Sequence, residues 1–360
     1  MPSLSEFLAE LPIDSSSQMP PSVQRAIALA RHLQTRATEL QTPQERKQQT
    51  ELDRMIHAPH DKATLAQLTD QAFRSQTAHR AADQLVHILD VQGVPRFFSP
   101  LDRTLLKGFQ SFGSYLPGVA VPLVKEKMRK ETANVILPAE PALLAEHLRA
   151  RRDEGVRMNV NFLGEALLGE DDAEERLKSY LTALQQPEIE VISVKISTIY
   201  SQISHVGREH TIAVLCDRLE LLFRAAARET FVRSDGSETH KLVYLDMEEY
   251  RDMEMTADVF METLDRPGLE TAHGGIALQA YIPDSYTVQR RLLVWARSRV
   301  ARGGSAITMR IVKGANMEME RVESSLQGWP TACFLKKIDT DANYKRMLHE
   351  CLLPETRTVV

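Results

Sequence analysis

Arg310 lies inside an apolar run, Ala306–Ala315 (AITMRIVKGA), where a guanidinium cannot shed its charge. It must meet an anion or a strong acceptor there. Two partners are open: a core carboxylate or a bound ligand. The run ends in a polar tip, Lys313 and Gly314, where the missing Cβ lets backbone approach a ligand closely. Three earlier runs repeat the design. Val191–Ser197 (VISVKIS) carries Lys195, Leu242–Glu249 (LVYLDMEE) carries Asp246, and Gly275–Tyr281 (GIALQAY) carries Gln279. A buried Lys195 needs a counter-charge, and Asp246 is the candidate. The pair can be purely structural. Alternatively, Lys195 holds an anionic substrate group, or it acts as the Schiff-base lysine of a barrel aldolase.

The elements that must position these side chains are short β-rich runs, each with a polar head near its end. Helical stretches separate them: Asp171–Leu184, Ile212–Arg228, Thr256–Leu264, Asp284–Val300, Asn316–Leu326 and Asp341–Leu353. Asp171, Asp172, Glu174 and Glu175 sit near a helix start, where the dipole favours acids. Asp284 or Ser285 is placed to cap a later helix. Strand then helix, repeated, predicts a parallel sheet with crossovers. Polar side chains gathered at C-terminal strand ends are how a (β/α)8 barrel builds a site. Arg157–Phe162, which alternates polar and apolar residues, reads as the first strand. Arg357–Val360 reads as the start of a sixth, following those that carry Lys195, Asp246, Gln279 and Arg310.

Upstream the texture is helical. Gln24–Leu40 places Ile27, Leu29, Ala30, Leu33 and Ala37 near helical spacing, and Leu65–Leu89 offers Leu68, Ala72, Leu85 and Leu89 as core. Pro138–Pro141 opens a helix through Leu143, Leu144 and His147. The predicted organisation is therefore α/β. A helical arm or packing region over 1–155 is followed by an incomplete (β/α)8 barrel over 156–360, with about five strands and the start of a sixth. Such a barrel has an open edge, which invites pairing with another chain. A non-catalytic module, helical region plus half-barrel, is thus a second reading.

Composition narrows the classes. The chain has 360 residues and a formal net charge of −5, and no basic face argues for nucleic acid. Cys216, Cys333 and Cys351 are widely spaced, which suits a reducing compartment and suggests neither a disulfide framework nor a metal site. No apolar run approaches the roughly 20 residues of a membrane span, and the first residues lack the pattern of a signal peptide.

VISVKISTIYSQI, LVYLDMEEYRD, IALQAY and MRIVKGANMEMERV, in that order and spacing, resemble proline dehydrogenase, above all the proline dehydrogenase domain of the bifunctional proline utilisation A enzymes. The likeness runs from about Asn159 to Val360. It implies a (β/α)8 barrel holding FAD, oxidation of L-proline to Δ1-pyrroline-5-carboxylate on the way to glutamate, and electrons passed to quinone. It also implies a cytoplasmic enzyme, peripheral to the inner membrane, a homo-oligomer, and a following aldehyde dehydrogenase domain in bifunctional members. By resemblance, Arg310 lies near flavin N5, Val312, Lys313, Gly314 and Ala315 line the flavin, and Gln279 contacts the isoalloxazine. Lys195 and Asp246 match the substrate-side pair, and Lys337 matches a lysine near the cofactor phosphates. The catalytic set so implied is Arg310, Lys195 and Asp246. Asn316 and Met317 depart from two aromatic residues common in the family. Its later strand and substrate-gripping arginines are not among these residues. The 360 residues are therefore expected to be an incomplete portion, weakly active or inactive.

Overall fold

The computed structural model describes every residue except 1–6, 8, 9, 15, 17, 59, 62, 66, 69–74, 76, 97, 99, 133–139, 163–166, 168 and 247. The side chains of 48, 51, 55, 56, 127 and 129–132 are likewise undescribed. Two compact units divide the chain, Met1–Pro138 and Ala139–Val360.

The first unit is helical among its described residues: α1 (Pro21–Leu40), α2 (Pro43–Ile56), α3 (Ala78–Gln92), α4 (Pro100–Phe112) and α5 (Pro117–Thr132). In α3, Ala81, Ala82, Leu85, Ile88 and Leu89 fall on one stripe, and all are buried. Leu106 and Phe109 of α4, and Val121, Val124 and Met128 of α5, join them with Leu65 and Leu68 in one core cluster. Ala72, expected in that core, lies outside the described residues. Helix α1 buries nothing, so Ile27 and Leu33 stay exposed despite their helical spacing.

The second unit begins with α6 (Pro141–Asp153). That helix, which reads in the sequence as part of the N-terminal region, belongs here because Leu144 and Leu148 join this unit's core. There follow β1 (Asn159–Asn161), α7 (Glu170–Gln185), β2 (Val191–Val194), α8 (Ile196–Ile199) and α9 (Arg208–Arg228). Next come β3 (Thr230–Val232), β4 (Glu238–His240), β5 (Leu242–Leu245), α10 (Met253–Leu264), β6 (Gly274–Gln279), α11 (Ser285–Ala301), β7 (Thr308–Val312), α12 (Met317–Gln327) and α13 (Lys337–Leu352). The main sheet has five strands in the order β1-β2-β5-β6-β7, and every pairing in it is parallel. Each crossover carries helix, as parallel pairing requires.

The two faces of this sheet differ. Ile192, Val194, Val243, Leu245, Ile276 and Leu278 turn to the helices and lie in the core cluster. The alternate positions hold the polar residues Asn159, Asn161, Ser193, Tyr244, Thr308 and Arg310, among the apolar Val191, Leu242 and Val312. A parallel sheet with one polar face suits a barrel whose interior mouth holds chemistry.

Three local differences from the sequence reading have physical causes. Arg357–Thr358 and Val359 form turns rather than a sixth strand. A ladder needs repeated pairing, and here the sheet-like bond is Ile307 N–H to Val359 O, at 3.0 Å. The antiparallel hairpin β3–β4 turns at Gly236, whose φ of 80° suits glycine; its short strands carry no alternating apolar pattern to betray them. Asp284 makes no capping bond for α11; it accepts a hydrogen bond from Tyr250 OH at 2.7 Å instead.

Arg299 is the structural cation of this unit, at 3% exposure. Its guanidinium donates to the carbonyls of Leu264, Leu269 (2.7 Å), Glu270 (2.8 Å) and Ser305 (3.2 Å). It thereby joins the turns after α10 and α11. Burial pushes its pKa down. Arg299→Met would leave these carbonyls without their charged donor. The expected loss is about 3–5 kcal/mol, read from denaturant midpoints against wild type.

Candidate active site at the carboxyl ends of the strands

Register brings the polar heads together. Leu245 pairs with Ile276, so Asp246, one step on, stands beside Ala277, and Ala277 pairs with Arg310. Ala277 is small, so side chains from the strands on either side can meet over it. Asp246 and Arg310 do meet, as an ion pair. Asp246 is 5% exposed and also accepts a hydrogen bond from Asn161 Nδ2 at 3.2 Å. Of the two partners open to Arg310, the core carboxylate is therefore present. One buried donor of Arg310, the Nε, has no partner.

Beneath the pair lies Tyr244, its ring centroid 5.5 Å from the Arg310 guanidinium carbon. The ring leans over Gly275, where a Cβ would stand 2.4 Å from its carbons. Glycine is needed there for close approach, not for backbone freedom. Gly275→Ala is expected to push Tyr244 from under Arg310 and cost about 2 kcal/mol, as overpacking does. A denaturation midpoint equal to wild type would contradict this.

Lys195 does not end strand β2 but follows it, as the N-cap of α8. The turn it begins is pinned three times. Thr198 Oγ1 donates to Lys195 O at 2.7 Å, and Tyr180 OH lies 3.1 Å from the same hydroxyl. Ser197 N–H and Oγ both donate to Glu248 Oε1, each at 3.2 Å. Glu248 is a residue that sequence reasoning missed. At 6% exposure its carboxyl is pushed up to about 8, because burial outweighs the Ser197 bonds and the Lys195 charge. The signal was present in the sequence as the alternation Asp246, Glu248, which puts two acids on one face. Asp246 is engaged by Arg310, and Glu248 is a further acid whose field reaches Lys195.

Gln279 is the last residue of β6 and 1% exposed. Its Nε2 donates to the Glu248 carbonyl at 2.5 Å, which orients the amide. Val312 ends β7, and its carbonyl accepts from Ala280 N–H at 2.7 Å. Lys313, Gly314 and Ala315 form the turn into α12, where the Asn316 N–H donates to Tyr281 OH at 3.2 Å. Met317 packs against the core. Lys195, Asp246, Gln279 and Arg310 therefore gather at one end of one sheet face.

A second cluster stands at the start of α13. Lys313 Nζ and Lys337 Nζ lie 2.8 and 2.7 Å from the two oxygens of Asp341. They hold that carboxyl down at about 2. The Thr340 hydroxyl, 4% exposed, is buried there without a partner. Two ammonium groups, a helix N-terminus and a spare hydroxyl form a donor set for phosphate oxygens. With the Arg310 Nε, these are donors of the types a flavin dinucleotide needs, cationic for a ring and for phosphates.

A parallel α/β sheet whose ionisable and amide side chains meet at the carboxyl ends of the strands defines a barrel-type enzyme architecture. Residues 144–360, more than half of the chain, match the family Proline dehydrogenase, and the chain belongs to that family. Among solved structures it is similar to proline utilization A from Corynebacterium freiburgense, at 36% identity over 64% of this chain and 23% of that one, with a TM-score of 0.59. Proline utilization A from Bdellovibrio bacteriovorus, inactivated by N-propargylglycine, matches at 23% identity over 85% of this chain and 30% of its own, TM-score 0.62. A Bradyrhizobium japonicum proline utilization A mutant matches at 20% identity over 98% of this chain and 37% of its own, TM-score 0.62. The last two show likeness of fold. The chain thus spans about a quarter to a third of the length of these structures. No curated protein matches the chain significantly.

Proposed function

We propose that the chain carries part of a proline dehydrogenase site, in which L-proline is oxidised to Δ1-pyrroline-5-carboxylate with FAD as cofactor. The observation that carries this reading is the Asp246–Arg310 pair with its spare buried Nε, set beside Gln279 and the turn of Lys195. When bound, FAD supplies the two-electron acceptor for the oxidation. Arg310, held by Asp246, keeps fixed positive charge where the ring gains electrons. Gln279, oriented by the Glu248 carbonyl, presents its amide to the ring. Lys195 holds the substrate carboxylate, which leaves the amine side of proline toward the ring. Lys313, Lys337 and the Thr340 hydroxyl take the phosphates, while Val312, Gly314 and Ala315 give the backbone lining.

In this reading quinone receives the electrons, and the enzyme works in the cytoplasm against the inner membrane as a homo-oligomer. The main sheet has five strands among the described residues, and in this reading the 360 residues alone bind FAD weakly and turn over slowly. The test is to titrate the purified chain with FAD and then add L-proline without air. Slow bleaching of the flavin band by L-proline, and not by D-proline, is the expected result. No bleaching under saturating FAD would overturn the proline reading. A tightly yellow, rapidly bleached protein would overturn only its weak activity.

A further inference from the structure

Two features of Glu248 lie outside the roles described so far. Its carboxyl closes on the N–H and hydroxyl of Ser197, in the first turn of α8. Its main-chain carbonyl holds the amide of Gln279. One residue therefore anchors both the turn that begins at Lys195 and the amide across the site. We propose that Glu248 is a positioning residue for Lys195, which sets the aim of its turn through Ser197 and its charge through space. The inference rests on the reading of Lys195 as the group that holds the substrate carboxylate.

The surroundings support a charge-coupled role. The ionisable groups whose fields bear on Glu248 are Lys195 at the start of α8 and Asp252 in the turn before α10. Tyr180 of α7 faces it as well, bonded to Thr198 in the same turn. Lys195 is the cation among these. A buried carboxyl beside one ammonium and one acid exchanges charge with the ammonium more than with solvent. With its proton on, Glu248 adds no negative charge to compete with a substrate carboxylate at Lys195. With its proton off, it competes for that charge. Ser197 stays bonded in both states, because a carboxyl oxygen accepts in either.

The test needs no turnover. Lys195 in the full chain is acetylated competitively across pH and read by mass spectrometry, with solvent-exposed Lys178 as internal reference. In Glu248→Gln the midpoint of Lys195 labelling is expected to fall by about one unit, since the Glu248 carboxylate no longer adds its field in favour of the ammonium. Lys178 should not move. In Glu248→Ala, amide exchange at Ser197 and Thr198 should quicken about tenfold over the Gln variant, which keeps an acceptor for Ser197. A Lys195 midpoint unchanged in the Gln variant overturns the proposal, as does equal exchange in the two variants. Neither readout depends on flavin or proline, so absent bleaching and absent coupling are separate failures.

Discussion

Arg310→Met is expected to destabilise the sheet unit by about 3 kcal/mol and to abolish proline-dependent bleaching of flavin. The stability loss comes from Asp246. That carboxylate is 5% exposed and would lose the guanidinium that pairs with it. Removing one member of a buried pair costs more than the pair is worth, because the survivor stays charged in a poor solvent. The Arg310 side chain is itself 36% exposed, which places the loss at the low end of the range for such pairs, about 3–5 kcal/mol. The functional loss is separate: methionine keeps the volume over Tyr244 and removes both the charge and the Nε donor. A double variant with Asp246→Asn separates the causes. It should regain stability, because neither charge remains to be buried, and should not regain bleaching. Equal denaturation midpoints for the single and double variants would rule out the stranded carboxylate as the cause.

Glu248→Gln has the second large effect, and its sign changes with pH. Burial pushes the folded carboxyl up to about 8, against the ordinary 4.5 of the unfolded chain. The folded state therefore holds the proton more tightly. Its stabilising share is complete below the unfolded value and is lost as pH rises through the folded one. Between those limits wild type loses about 1.4 kcal/mol for each pH unit, or about 5 kcal/mol across the window. Glutamine fills the same space and carries no such dependence. The variant should thus gain on wild type steadily from pH 5 to pH 8, by denaturation of both proteins at matched ionic strength. A stability difference that stays constant over that interval would show that Glu248 does not ionise there.

The two predictions mark how far the residues alone could be read. Arg310 in an apolar run had to find an anion, and Asp246 stood at the end of another run. Nothing local says that the two meet. They are separated by 64 positions, and their contact depends on a register that puts Ala277 between them. By charge Asp246 suits Lys195 as well as Arg310, and the small Ala277 is what lets Arg310 reach it. An acid among acids after a strand carries no local mark of burial, and Glu248 is such an acid. Its burial comes from α8 and β6 closing over it, a property of packing.

Order and type of the elements were legible because hydrophobic period is local: α3 shows its stripe, and the β-runs show their apolar cores. The family likeness and the residues that could carry charge were legible for the same reason, since both are sequences of residue types. Other features took the fold to decide: the turn at Arg357–Thr358, the uncovered face of α1, the partner of Arg310, and the buried proton of Glu248. A chain specifies which side chains point the same way along one strand. Only packing decides which of them share a space, and the free energy of a charge depends on that space.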